Sequence, residues 1–205
     1  DRGAVTAGGG ARVRDITAVT DDYNLAVVAG SVDSVGMAGL TLGGGYGPLI
    51  GRFGLALDNL LDAQVVLADG QIVFASPERH GELFWALRGG GGNFGVVTAF
   101  DFQLHPAPAS TIGGALVFPF SKPRELLRAY ADFAAGASDE FSAMLDIVPT
   151  PDGRIALLEV CHCGSAADAT RELATLRKIG PLAKDSRAAV LVTWVTVMRS
   201  GDRGR

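Results

Sequence analysis

The stretch GLTLGGGYG (residues 39–47), read together with RGGGGNFG (residues 88–95), decides how this chain folds. Both runs are dense in glycine, and they bracket a segment of mixed helix and strand pattern. A residue without Cβ removes bulk, so Gly43-Gly44-Gly45 lets main-chain N–H groups approach phosphates or a flat ring system. One such loop is as well explained by a tight turn between strands; two in one segment point to a large cofactor. The second run also contains Gly90-x-Gly92-x-x-Gly95, which satisfies the dinucleotide pattern G-x-G-x-x-G. Its surroundings do not. That fingerprint follows a strand and opens a helix whose N-terminus holds the pyrophosphate. Here the glycines follow a helical stretch (residues 82–88) and lead into VVTAFDF (residues 96–102), whose β-branched and aromatic residues predict a strand. No G-x-x-x-x-G-K-[ST] sequence occurs, which removes the P-loop class. The ligand is expected on loops that enter strands.

With 205 residues, 48% of them hydrophobic, the chain can bury a core in one large or two small domains. A net charge of −4 with 18 scattered Lys and Arg offers no basic field for nucleic acid. The longest apolar tract, residues 188–198, is shorter than the ~20 residues a bilayer requires and is interrupted by Thr193 and Thr196, so no membrane span is expected. Cys161 and Cys163 flank His162 and form the one cluster that resembles a metal site. Zinc sites space paired cysteines by two to four residues and need two further ligands, and no second cluster exists. Residues i and i+2 of a strand share a face, so the simpler reading is a strand with both thiols on one side and no metal. Two cysteines support no disulfide framework, so they do not report the compartment. The chain opens on Asp1 with no charged segment and apolar stretch ahead of the fold; either a signal has been removed or the chain is incomplete, and the lack of a visible signal favours the cytoplasm. The polar end, residues 199–205, is expected to fray.

Along the chain, residues 12–24 place Val13, Ile16, Ala18, Val19 and Tyr23 at mostly helical spacing, followed by a short strand at 25–28. Residues 30–47 are loop-rich, and 49–61 mix apolar residues with Gly51, Gly54 and an Asp58-Asn59 pair. Two apolar runs, 63–68 and 71–75, are separated by Asp69-Gly70, the strongest hairpin signal in the chain. A short helix (82–88) ends in the second glycine loop, a strand follows (96–104), and His105-Pro106-Ala107-Pro108 marks a domain boundary. Beyond it the pattern predicts a strand (114–120), a helix (122–136), two strands (141–148 and 154–163) joined by Pro151-Asp152-Gly153, and a helix (166–179). Ser121 and Ser165 are N-cap candidates. This β-α-β-β-α order suits an antiparallel sheet covered by helices on one face, and it announces no catalytic triad.

GMAGLTLGGGYG (residues 36–47), RFGL (52–55) with Asp58-Asn59, and ELFWALRGGGGNFGVVT (82–98) together resemble the FAD-linked oxidases of the berberine-bridge-enzyme type, within the vanillyl-alcohol-oxidase superfamily. The resemblance covers about residues 8–180. It implies an α+β fold: residues 1–106 as the second part of a PCMH-type FAD-binding domain, and residues 107–205 as an incomplete antiparallel sheet with helices that begins the substrate-binding domain. It further implies that residues 30–47 line the flavin and pyrophosphate, with cofactor-facing positions at Gly30, Ser34, Val35, Gly36, Gly39, Gly43 and Gly45, and with the backbone of Val97 meeting the flavin. Val35 matches a position where a small residue admits oxygen, which favours an oxidase.

Departures from the family pattern matter as well. Val32 and Leu40 stand where relatives with doubly attached flavin carry a cysteine and often a histidine, so FAD without a cysteinyl bond is expected. The N-terminal segment bearing the other attachment site, and the later tyrosines proposed as catalytic, have no counterpart, and the residues beyond Lys184 fit the family poorly. The implied reaction is oxidation of a small molecule at a C–OH or C–N carbon, by hydride transfer to flavin and reoxidation by O2. No catalytic base is nominated; His80, His105, Asp58 and Asn59 read as structural or solvated. Two other readings follow from the departures: a non-catalytic remnant that holds no flavin, and a half-site completed by a partner chain or within a homo-oligomer.

Overall fold

The computed structural model of the protein describes residues 3–178; the apolar tract at 188–198, the residues beyond Lys184 and the polar end lie outside these. They divide into two compact units, one up to Ala107 and one from Pro108 onward.

The first unit is organised by one long strand, β5 (Val96–Pro106). β1 (Ala4–Gly8) and β3 (Leu60–Val66) pair with it antiparallel on opposite sides, β4 (Ile72–Ala75) extends the sheet beyond β3, and β2 (Leu25–Val27) takes the last three residues of β5. Val97 and then Phe100, Phe102 and Leu104 are the buried residues of β5, a step of three followed by steps of two. A register shift explains it. Gln64 faces Ala99 while Val65 faces Val97, so Thr98 is an extra residue that reverses which face is buried. Phe100 and Phe102 then stack with centroids 5.7 Å apart. Burial of each is worth about 2–3 kcal/mol.

The hairpin expected at Asp69-Gly70 forms, with Leu67 N–H donating to the Gln71 carbonyl and Asp69 Oδ1 accepting from the Gln71 amide at 3.0 Å. α1 (Val13–Thr20) buries Val13, Ile16 and Thr20, and a 3₁₀ turn over Asp21–Tyr23 extends it. Two short helices differ from the loop-rich expectation: α2 (Met37–Leu42) lies inside residues 30–47, and α3 (Ile50–Phe53) follows. Met37 and Thr41, four residues apart, are both buried. α2 is thus anchored by packing of one face, although Gly39 makes it a poor helix in isolation. α4 (Gly81–Leu87) runs into the second glycine loop. β5 continues through Pro106, which pairs with Leu25, past the end expected from the proline. The next amide, Ala107, donates to Asn24 O at 3.0 Å.

In the second unit β6 (Ile112–Pro119), β8 (Gly153–His162) and β7 (Phe141–Thr150) form an antiparallel sheet with β8 central. α5 (Pro123–Gly136) and α6 (Ala166–Lys178) complete it. Ala156, Leu158 and Val160 of β8 share a core cluster with Leu126 of α5 and Leu173 of α6. Pro123 occupies the first turn of α5, where its missing N–H leaves nothing unpaired; Lys122, not Ser121, precedes it as cap. Ser165 does cap α6, its Oγ accepting from the Asp168 amide at 3.1 Å. The architecture is α+β, and among the described residues no helix is long and apolar enough to cross a membrane.

Candidate functional site

The first glycine loop is held from two sides. N–H groups at the start of α1 have no partner within the helix; here Val13 and Arg14 donate to the carbonyls of Val35 and Asp33, each at 3.0 Å, and the Met37 amide donates to Ala11 O at 2.8 Å. From the other side, a 3₁₀ turn over Ala56–Asn59 donates Ala56 N–H to Gly45 O and Leu57 N–H to Gly44 O, both at 3.0 Å.

That turn is itself braced. Asp58 Oδ2 accepts from the Leu55 amide at 2.9 Å. The amide group of buried Asn59 donates to Phe53 O at 2.9 Å and Leu55 O at 2.8 Å. Because both N–H bonds of Asn59 are spent, its Oδ1 can only accept, and it does so from His105 Nε2 at 2.6 Å. This fixes the histidine proton on Nε2. His105 stacks on Phe53 with centroids 4.0 Å apart, and burial, with Arg52 nearby, holds its pKa below the usual 6.5.

The second glycine loop meets the first directly. Gly91 N–H donates to Leu42 O at 2.9 Å, Gly90 N–H to Ala86 O, and Asn93 Nδ2 to Gly90 O at 3.0 Å.

The residues expected at a cofactor fall into two groups. Ser34, Val35, Gly36, Gly39 and Gly43 are exposed, and a Cβ placed on Gly36 or Gly39 would meet nothing within 4 Å. These form an open, low-relief surface. Gly45 is buried behind it at φ +88°, where an added Cβ would stand 2.3 Å from Ala56 Cβ. Gly30 is half-buried, with the Leu40 side chain 3.4 Å from such an atom. Val97 lies apart on β5, its side chain in the core and its carbonyl oxygen beneath Gly9, whose added Cβ would be only 2.5 Å away. Part of the glycine density therefore serves close packing and part leaves a surface bare.

A third glycine run, Gly8-Gly9-Gly10, closes the space between β5 and α2: Gly9 N–H donates to Thr98 O at 2.8 Å, and Ala11 accepts from Met37. It is visible in the sequence as three consecutive glycines, as many as in Gly43-Gly44-Gly45. Thr41 shares the buried face of α2 with Met37, and its Oγ1 has no hydrogen-bond partner among the described residues. Bare glycines over a braced backbone fit a large, flat, polar-edged ligand such as a flavin nucleotide.

His80 sits exposed at φ +51° ahead of α4. Cys161 and Cys163 place their Sγ atoms 4.0 Å apart in the second unit, and the neighbouring thiol together with burial keeps Cys161 protonated. Among the described residues no group of three or more His, Cys, Asp or Glu converges to hold a metal ion.

A family described as "FAD binding domain" matches residues 1–76. (R)-6-hydroxynicotine oxidase of Paenarthrobacter nicotinovorans is 36% identical over 185 residues, covering 88% of this chain and 40% of its own. BBE-like 1 of Physcomitrella patens superposes with a TM-score of 0.81 at 26% identity, over 94% of this chain and 40% of that one. Glucooligosaccharide oxidase of Acremonium strictum, which carries a 6-S-cysteinyl, 8α-N1-histidyl FAD, superposes with a TM-score of 0.79 at 33% identity, over 95% and 41%. The chain spans between a fifth and two fifths of the length of its sequence relatives. Glycine loops, α+β architecture and these likenesses converge: the chain belongs to the FAD-linked oxidoreductases of the berberine-bridge-enzyme type.

Proposed function

We propose that the protein acts as an FAD-dependent oxidase, taking a hydride from a carbon that bears a hydroxyl or amine in a small molecule, with O2 as the final acceptor. The observation that carries this reading is the open surface of Ser34, Val35, Gly36 and Gly39, tied to the second glycine loop by the Gly91 to Leu42 bond. In this reading the residues up to Ala107 are the second part of the FAD-binding domain, and those from Pro108 begin the substrate side. Bound flavin supplies an electron-accepting ring.

The chain's own work is positional. The start of α1 fixes the backbone at Asp33 and Val35, the 55–58 turn fixes Gly44 and Gly45, and the small side chain of Val35, 38% exposed, leaves room for oxygen at the ring. Val32 is exposed in the same stretch. An isopropyl group cannot form a thioether, so the flavin is held without a cysteinyl bond. His105 holds the loop's support together, its Nε2–H donating to Asn59 and its ring stacked on Phe53, and no catalytic role is assigned to it. Relatives named for a hydroxynicotine and a glucooligosaccharide support a small-molecule substrate.

The test is a visible spectrum of the purified protein with and without added FAD, followed by acid precipitation. Absorption bands near ~370 and ~450 nm, with the flavin released into the acid supernatant, are expected for a flavin held without a cysteinyl bond. A folded protein that stays colourless after FAD addition would overturn the reading in favour of a remnant or of a half-site that needs a partner chain. Flavin retained in the acid pellet would overturn the absence of a cysteinyl bond alone.

A further inference from the structure

Arg88 follows α4 and precedes Gly89, so it stands where the second glycine loop begins. Its side chain turns toward the other loop's support. Nε donates to Leu57 O at 3.0 Å, a terminal N–H donates to Asp58 Oδ1 at 3.0 Å, and the guanidinium lies over the Phe84 ring with its carbon 5.7 Å from the centroid. Leu57 is the residue whose amide holds Gly44 O, and Asp58 is the residue that closes the 55–58 turn through the Leu55 amide. A planar, forked cation thus grips both the carbonyl and the carboxylate of the turn that backs loop one, while its own backbone launches loop two. The loops meet again at Gly91 and Leu42.

We propose that Arg88 is a positioning residue that orders the two glycine loops as one unit, so that the surface offered to the cofactor is set by both together. What the surface is ordered for rests on the flavin reading above; the coupling itself does not. The ion pair with Asp58 is not the source of the effect through its energy. Both partners are partly solvated, at 32% and 44% side-chain exposure, and such pairs contribute little to stability. The effect comes from geometry: a fork can satisfy a carbonyl and a carboxylate at once, and a lysine ammonium, a single point of charge, presents no matched pair of donors.

Amide hydrogen exchange on the cofactor-free protein tests the coupling, with Arg88→Met and Arg88→Lys compared against wild type and against the thermal midpoint. The expected result in Arg88→Met is roughly tenfold faster exchange at three amides together: Ala56 and Leu57, which hold Gly45 and Gly44, and Gly91, which holds Leu42. Amides of β3 and β5 should keep their protection, and Arg88→Lys should not restore the three. Faster exchange at Ala56 and Leu57 with Gly91 unchanged would overturn the coupling. Full rescue by lysine would overturn the forked grip in favour of simple covering of Phe84. A uniform rise across β3 and β5 would mean ordinary destabilisation and would overturn it as well. An FAD titration separates the two readings. Wild type that binds FAD, with affinity about tenfold weaker in Arg88→Met, supports both. Wild type that binds none overturns the flavin reading while the exchange pattern still judges Arg88.

Discussion

Asn59 is the residue on which most of the loop's support converges, for it joins Phe53, Leu55 and His105 through three hydrogen bonds from a buried side chain. The Asp58-Asn59 pair suggested loop-fixing hydrogen bonds in the sequence because short amide and carboxyl groups bond locally to backbone. Its reach to His105, 46 positions away, had no local signal. The burial of His105, with Arg52 nearby, has a pH consequence. His105 has a folded-state pKa below 6.5, so between that lowered value and 6.5 the unfolded chain binds a proton that the folded chain does not. Stability therefore rises with pH through this window: the contribution is fully present above about 6.5 and is lost as pH falls through the folded pKa. In urea unfolding from pH 8 to pH 5, wild type is expected to lose more stability on acidification than His105→Gln. Parallel curves for the two would show that the histidine carries no linked proton.

At the scale of elements, the loop and turn around Gly45 show what pattern can and cannot reveal. Strands with a face to bury were legible: the 63–68 and 71–75 runs with Asp69-Gly70 between them became β3, β4 and their hairpin, and alternation placed β6, β7 and β8 to within a few residues. α2 was not legible, because its glycines and its single buried face of Met37 and Thr41 give too few turns for a helical period to emerge. β1 has no local signal, because the five small residues AVTAG take strand geometry only by pairing with β5, nearly a hundred positions away. Gly45 was expected to face the cofactor as bare backbone, and its burial gives it a packing reason as well: at φ +88° any Cβ is strained, and here it would also strike Ala56. Gly45→Ala is expected to lower stability by about 2–4 kcal/mol, read from urea midpoints at constant slope. A loss below about 0.5 kcal/mol would mean that the turn over residues 55–58 yields freely and does not fix the loop.

For the whole molecule, two compact units divide the chain, yet every residue expected at the cofactor, from Gly30 to Val97, falls in the first of them. Each unit has its own core, one built on Phe100 and Phe102, the other on Leu126, Leu158 and Phe141. A ligand that binds only the folded first unit stabilises it by mass action, about 2.7 kcal/mol at a hundredfold excess over Kd. That corresponds to roughly hundredfold slower exchange for the amides that open only on complete unfolding of the unit. With FAD at that excess, the β3 and β5 amides are expected to slow by up to this factor, those of Ala56, Leu57 and Gly91 to slow also, and those of β6, β7 and β8 to remain as they were. Equal slowing in β6, β7 and β8 would show that the second unit also responds to the cofactor, and that its binding determinants extend past Ala107. Slowing confined to the second unit would place the flavin away from the glycine loops altogether, and their bare surface would then need another ligand.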